Sequence, residues 1–373
     1  MKILHIITSL SHGGAQEILF NIVINKQSTK LNHIVVSLRD LSIYGKLLQE
    51  KNIKCYHLNI NQNKINLISR FIKLLKIIKL EKPDKIQSWM YHSDFLGSIA
   101  SLLTKTPINW CLVNYSLDKS VIKLNTRIIA KVCSLLSYFV PKKIFSCSSN
   151  ASNLHIRFGY KSNIFKNIDL GININKKKKI FQKNYDINND FVIGCIGRWD
   201  PQKNHKKLIF AFNKIINEEK KNNFKLILAG PDIDYNNKDL VNIINTLNLD
   251  NKISLLGYVK NLDDFYSKID LNILPSIGEA FPISLLESMV RKKIVIATNV
   301  GENLNILRDL DLIIKTPSTN HIYLSIIKIY KKYSDKLWIK KKEDDLQKIV
   351  FENYDVKNTI YLFEKEWLKN QKY

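Results

Sequence analysis

Short apolar runs rich in β-branched residues recur along this chain, and most are followed by a stretch whose apolar residues fall three and four apart. KILHIIT (2–8) opens the series, and a glycine-bearing loop leads from it into ILFNIVINK (18–26), apolar at helical spacing. HIVVSL, DKIQSWM, INWCLVNYS and KKIFSCS continue as strands, with LISRFIKLLKIIKLEKP between them as a helix that Pro83 stops. Continuous apolar runs of this length are what strands buried on both faces require, and the intervening 3.6-residue periodicity is that of covering helices. Over about the first 170 residues the alternation predicts a doubly wound α/β sheet.

The pattern then fails. LGININKKKKIFQKNYDINND (170–190) is polar and lysine-rich with almost no apolar periodicity, which reads as a linker. Beyond it the alternation restarts: FVIGCIG, FKLILAG, KISLLG, DLNILPS and KIVIATN are strands, and HKKLIFAFNKIINEEKK, DLVNIINTLNL, DDFYSKI and PISLLESMVRK are helices. YDVKNTIYLFEKEWLKN is helical as well. The expected organisation is therefore one Rossmann-like domain over 1–172, a linker over 173–190, and a second such domain over 191–354. A final helix over 355–373 is expected to pack back toward the first domain. Two such sheets facing across a cleft would bind ligands in the loops at their strand carboxyl ends.

Composition adds one feature. Lys and Arg number 58 against 33 Asp and Glu, a formal net charge of +25. A balance of that size points to a phosphate-bearing partner, whether nucleic acid, an anionic membrane surface or a phosphorylated small molecule. A Lys-, Ile- and Asn-rich composition with many simply solvated lysines is the other account. The cysteines (Cys55, Cys111, Cys133, Cys147 and Cys195) are scattered and never spaced as CxxC, so they read as small buried apolar residues in a reducing compartment. The opening MKILHIITSL is too short for a signal peptide and lacks a small-residue cleavage site, and no apolar run reaches the length of a membrane span. The expected location is the cytoplasm, with a peripheral place on the inner membrane face in view.

The candidate chemistry lies in SIGEAFPISLLESM (276–289). Glu279 falls in the loop after a strand, Pro282 suits the first position of a helix, and Glu287 falls on that helix's second turn. Helix amides between two carboxylates would suit a ligand that carries phosphate flanked by hydroxyls. A capped surface helix with two solvated glutamates is the plainer reading of that spacing. GCIGRWDPQK (194–203) supplies Arg198 and Lys203 just past Gly197 at a strand end, a planar fork and a point charge for adjacent phosphates.

Taken together, SLSHGGAQE, QSWMYHSDFLG, SSNASNLHIRFGY, GRWDPQK, LILAG, ISLLGYV and PSIGEAFPISLLESM resemble glycosyltransferase family 4, the retaining enzymes of GT-B architecture, over nearly the whole chain. The resemblance implies that Arg198 and Lys203 bind the donor diphosphate and stabilise it as a leaving group. It implies that Glu287 accepts from the nucleotide ribose, and that Glu279 holds a hydroxyl of the transferred sugar. The backbone from Ala280 and Phe281 to Ile283 would meet the distal phosphate. Gly257, Tyr258 and Val259 would seat the base, and Gly13 and Gly14 would let the backbone approach the ligand. No metal cofactor is expected, since cations and amides meet the phosphate charge.

This sequence departs from the family at Leu170, where asparagine is usual, at Ala280 for glycine, at Asn114 for a histidine, and at His12 within the glycine loop. His92 and Asp94 match members that assemble surface polysaccharides. They are read either as sugar contacts, His92 handling a proton, or as the start of a helix that Ser93 or Asp94 caps. His12, Asp94 and Asn114 are the acceptor-side candidates, and His155 is read as structural. Asp232 and Asp234 form a D-x-D that reads as a polar turn. Arg70, Lys73, Lys76 and Lys79 recur every three residues along one helix, and RIIAKVCSLLSYFVPKK repeats the suggestion of a lipid-facing surface.

The expected function is transfer of a hexose or N-acetylhexosamine from a nucleotide-diphosphate sugar, by family habit UDP-linked, to a lipid-linked or envelope saccharide. The alternatives are another GT-B enzyme of nucleotide sugars, an epimerase or hydrolase, or a basic nucleic-acid-binding protein. Against the last stands the absence of zinc-finger spacing or an RNA-binding aromatic signature.

Overall fold

The computed structural model describes residues 1–11, 13–60, 67–114, 116–117, 122–174, 190–219 and 223–369. It divides into two compact units, one formed by Met1–Gly171 with Val356–Tyr373 and the other by Ile172–Asp355.

The first unit runs β1 (Lys2–Ile7), α1 (Gly14–Ile24), β2 (Asn32–Ser37), α2 (Ser42–Glu50), β3 (Lys54–His57), α3 (Leu67–Glu81), β4 (Lys85–Trp89), α4 (Tyr91–Thr104), β5 (Ile108–Leu112), α5 (Leu124–Leu136), β6 (Ile144–Ser146), α6 (Ser149–Phe158) and β7 (Phe165–Asn167). The strands form one parallel sheet in the order β3-β2-β1-β4-β5-β6-β7. Strand order reverses between β1 and β4, where Ile3 pairs with His33 on one side and Lys85 on the other. Side chains alternate across β1: Leu4 and Ile6 join Leu74, Ile77, Ala100, Trp110 and Cys133 in the core under α3, α4 and α5. His5 points into a different environment. Its Nε2 lies 2.9 Å from His33 Nδ1, and the Trp367 ring stands edge-on to both imidazoles, at 5.5 and 5.6 Å.

In the second unit, β8 (Phe191–Ile196), α7 (His205–Glu218), β9 (Phe224–Ala229), α8 (Lys238–Thr246), β10 (Ile253–Leu255), α9 (Leu262–Lys268), β11 (Leu271–Leu274), α10 (Ile283–Val290), β12 (Ile294–Thr298), α11 (Asn303–Leu307), β13 (Ile313–Ile314), α12 (Thr319–Lys332) and α13 (Lys336–Asn353) follow in turn. Their sheet is again parallel, in the order β10-β9-β8-β11-β12-β13, and it reverses between β8 and β11. Gly230, just past β9, takes φ +138°, and a Cβ there would lie 2.2 Å from the Gly197 carbonyl oxygen. Only glycine lets those two strand ends approach so closely. The chain enters and leaves this unit side by side, with the Ile172 N–H donating to Tyr354 O at 2.9 Å and Ile172 bridging Asp355. α14 (Val356–Leu368) then belongs to the first unit.

The doubly wound α/β reading holds for both units. Most of the linker expectation falls on residues 175–189, outside the described residues, as does His12. Strands β3, β7 and β13 have no counterpart in the sequence reading. Each lies at a sheet edge, where one flank is unpaired and a continuous apolar run is not needed.

Candidate active site

The site is built in the second unit, at the carboxyl ends of β8 and β11. Past β8, the Asp200 carboxylate accepts from Gln202 N–H (2.9 Å) and caps a short 3-10 turn over Pro201–Lys203. Asn204 closes that turn at φ +60°, a left-handed conformation asparagine tolerates. Its amide donates to the carbonyls of Pro275 and Pro317, at 2.9 Å each. Gln202 binds the same loop twice, its side chain donating to Gly278 O (2.6 Å) and its carbonyl accepting from Ile277 N–H (2.8 Å). The segment carrying Lys203 is thereby fastened to the segment carrying Glu279.

The two charged side chains meet. Lys203 Nζ lies 2.7 Å from Glu279 Oε1, and Ser276 Oγ donates to that oxygen at 2.7 Å. Glu279 is buried, and its backbone is pressed by Gly301, where a Cβ would stand 2.2 Å from the Glu279 carbonyl oxygen. Lys203 lays its aliphatic stem along Gly197. Arg198 is more exposed, its Nε held 3.1 Å from Asp200 Oδ2. The loop past β8 thus carries an ammonium paired with Glu279 and a guanidinium paired with Asp200, a set suited to a diphosphate beside a hydroxylated ring.

The second glutamate is set differently. Glu287 projects from α10, and its Oε2 lies 2.5 Å from Arg291 Nη1 one turn on. Arg291 Nε also donates to Asp263 Oδ1 at 2.7 Å, and the guanidinium lies 5.1 Å from the centre of the Tyr266 ring. Arg291 is absent from the sequence reading, although its four-residue spacing from Glu287 was a visible signal. Gln202, Asn204, Ser276 and Gly301 were missed too; no local pattern marks them, because their partners lie far along the chain.

One expectation about α10 is corrected. Pro282 caps the helix from outside rather than occupying its first position. Pro282 has no N–H, and the Ile283 N–H donates to Phe281 O at 3.1 Å. Phe281 is buried and packs on Tyr354, consistent with a side chain that shapes the turn. Gly257 takes φ +63° and exchanges backbone hydrogen bonds with Ile233 and Gly230. Tyr258 beside it is exposed, and Val259 packs against the Phe265–Tyr266–Ile269 cluster.

In the first unit, Gly13 precedes α1 in an extended conformation and Gly14 begins it, with open space where a Cβ would be. His92 is half-buried, and burial, with Arg39 nearby, lowers its imidazole below the ordinary range. Asp94 corrects both expectations for it. It does not cap α4, which begins after Met90, and it offers no surface to a sugar, being wholly buried. Ser88 Oγ donates to its Oδ1 at 2.6 Å, Oδ2 has no partner among the described residues, and burial raises its carboxyl to about 8. Asn114 donates to Tyr91 Oη (3.2 Å), which meets His155 Nε2 (2.8 Å), while His155 Nδ1 meets Ala151 O (2.7 Å). Tyr91 and His155 are buried, in keeping with a structural His155, while Asn114 is half-buried.

Asp232 and Asp234 form a turn in which Asp234 accepts from Asn236 N–H at 2.8 Å. Among the described residues no group of three or more His, Cys, Asp or Glu could hold a metal ion, and no helix is long and apolar enough to cross a membrane.

The architecture has counterparts. Along 99% of its length the chain superposes on 100% of Anabaena Alr3699/HepE, solved in complex with UDP and glucose, with a TM-score of 0.83 at 20% identity. This chain is a glycosyltransferase of the GT-B fold. Its residues 176–346 match the model of the glycosyl transferases group 1 family, which places the module on the unit that carries Arg198, Lys203 and both glutamates. Among its relatives is a Campylobacter jejuni N,N'-diacetylbacillosaminyl-diphospho-undecaprenol alpha-1,3-N-acetylgalactosaminyltransferase, 25% identical over 78% of this chain and 79% of that one. The Staphylococcus aureus capsular polysaccharide biosynthesis glycosyltransferase CapM is 26% identical over 69% and 70%. These matches accord with the resemblance to family 4, and bacterial surface-polysaccharide glycosyltransferases are among the relatives.

Proposed function

We propose that this chain is a retaining transferase that moves a hexose or N-acetylhexosamine from a UDP-sugar to a lipid-linked or cell-envelope saccharide. The observation that carries the reading is the Lys203–Glu279 pair beside Arg198, with Glu287 on the helix that follows. As the donor bond breaks, negative charge develops on the departing diphosphate and positive charge on the sugar. Lys203 and Arg198 meet the first. Glu279, oriented by Ser276 and Lys203, accepts from a sugar hydroxyl near the second. A well-placed donor to such developing charge contributes about 2.7–4 kcal/mol. Glu287 takes the ribose hydroxyls, and the exposed Tyr258 beside Gly257 suits a base. UDP is favoured by its presence in structures of similar fold, and a polyprenol-linked acceptor by the names of the relatives.

An acceptor held in a membrane calls for a membrane-facing surface, and one layer of the first unit supports it. α4 packs against both α3 and α5. These helices expose Ile68, Ile72 and Leu80, then Leu102 and Leu103, then Leu124, Ile128 and Leu135, with Phe139 just beyond at 87% exposure. Arg70, Lys73, Lys76, Lys79, Arg127 and Lys131 accompany them, while the acidic residues of the three helices, Glu81 and Asp94, are buried. Apolar side chains ringed by cations fit an anionic lipid surface.

The deciding experiment is thermal-shift binding of UDP, GDP, ADP and their sugar conjugates, followed by product analysis with and without a polyprenol-diphosphate saccharide. Stabilisation by the UDP series and anomer-retaining transfer to the acceptor is the expected result. Sugar release or epimerisation with acceptor present would sink the transferase reading.

A further inference from the structure

Glu287 is nearly buried, and a carboxylate that must accept from two adjacent hydroxyls needs a fixed rotamer. The structure provides one side chain that fixes it. Arg291 Nη1 reaches the Glu287 side chain at 2.5 Å and its backbone carbonyl at 2.9 Å, so one guanidinium nitrogen spans the turn of α10 on which Glu287 stands. The opposite edge of the fork is anchored outside α10, on Asp263 in the first turn of α9, at 2.7 Å. Tyr266, one turn further along α9, presents its ring to the guanidinium, and its hydroxyl returns to α10 by donating to Ser284 O at 3.1 Å. Arg291 is only 5% exposed, so this is no solvated surface pair.

We propose that Arg291 is the positioning residue for nucleoside recognition. Bound to Asp263 and Tyr266, it holds the Glu287 carboxylate in the rotamer that accepts from both hydroxyls of the donor ribose. The inference rests on the reading of Glu287 as the ribose acceptor. Its chemistry explains why arginine stands here: the planar fork serves two carboxylates at once, in directions set by its own geometry, whereas a lysine ammonium serves them only by swinging between them. Arg291 does not touch the donor. Its loss is felt through Glu287.

The test is calorimetric binding of UDP and 2′-deoxy-UDP to the full chain, beside melting temperature and the split of donor KM against kcat. The variants are Glu287→Ala, Arg291→Met, Arg291→Lys and Asp263→Asn. Wild type is expected to prefer the ribonucleotide by about tenfold or more, the worth of hydrogen bonds to a charged group. Glu287→Ala and Arg291→Met should both abolish that preference, Arg291→Lys and Asp263→Asn should reduce it, and donor KM should rise more than kcat falls. Should Arg291→Met fail to fold, the lysine and Asp263 variants carry the comparison. A preference lost in Glu287→Ala but kept in the Arg291 variants, with only a lower melting temperature, would overturn the positioning role and leave the ribose reading standing. A wild type with no preference would overturn both.

Discussion

Lys203 and Glu279 show what one pair of side chains can be asked to do. Each neutralises the other at 2.7 Å, and a departing diphosphate would compete for the ammonium. Lys203→Ala should therefore lower kcat about 100-fold or more while the chain stays folded, measured by initial rates beside circular dichroism; near-native turnover would remove Lys203 from the chemistry. Asp94 makes a different kind of residue-scale prediction. Its carboxyl rises from 3.8 to about 8 on burial, so the folded chain holds a proton that the unfolded chain has released. Its stabilising contribution is complete below the ordinary carboxyl range and is lost as pH rises toward 8. Asp94→Asn removes that titration, so the melting temperature of the variant relative to wild type should climb between pH 5 and pH 8; a flat difference would mean the carboxyl ionises normally. Arg198, Lys203, Glu279 and Glu287 were legible from sequence because each stands at a fixed offset from a strand end or helix start. The Lys203–Glu279 contact was not, since it spans 76 residues, and Asp94 was misread because a helix-start pattern does not say which side of the helix faces the sheet.

At the scale of elements, central strands were legible because burial on both faces demands an unbroken apolar run. β3, with its exposed Lys54, and β7, which is largely exposed, carry no such demand. α14 was legible as a helix, and its work is visible only in the fold. Phe363 packs on Trp89 and Phe145, Trp367 covers His5 and His33 and donates to Gln87 Oε1 at 3.0 Å, and Glu364 accepts from the N–H groups of Gln27 and Ser28. Trp367→Ala should cost roughly 3–5 kcal/mol of the first unit's stability in urea unfolding. A loss under about 1 kcal/mol would mean the ring contributes little beyond contact. For α3, replacing Arg70, Lys73, Lys76 and Lys79 with glutamine should weaken sedimentation with anionic vesicles, each cation near the surface contributing about 1 kcal/mol. Binding that persists unchanged would make this an ordinary solvated face.

Across the whole molecule, the two units are unlike in how the chain makes them. The second is one continuous stretch, Ile172–Asp355, while the first is completed by residues from beyond it. A fragment of residues 172–355 should accordingly fold and bind UDP by itself, whereas 1–171 alone should aggregate or bind hydrophobic dyes. A soluble, cooperatively melting 1–171 fragment would show that α14 is dispensable. The +25 charge belongs to this scale as well: it was plain in the composition, but which cations face a ligand, a lipid or only water is decided by where each lies in the fold.

The return of α14 also sets an order of events on the ribosome. The sheet face that bears His5, His33, Gln87 and Trp89 is made early, yet its cover is encoded after the entire second unit. At about 5–20 residues per second, that face waits roughly 10–40 s for Phe363 and Trp367 to emerge. Throughout that interval the nascent first unit lacks this cover, while the unit behind it can already be closing. A message truncated anywhere within the second unit would release not half an enzyme but an uncovered sheet.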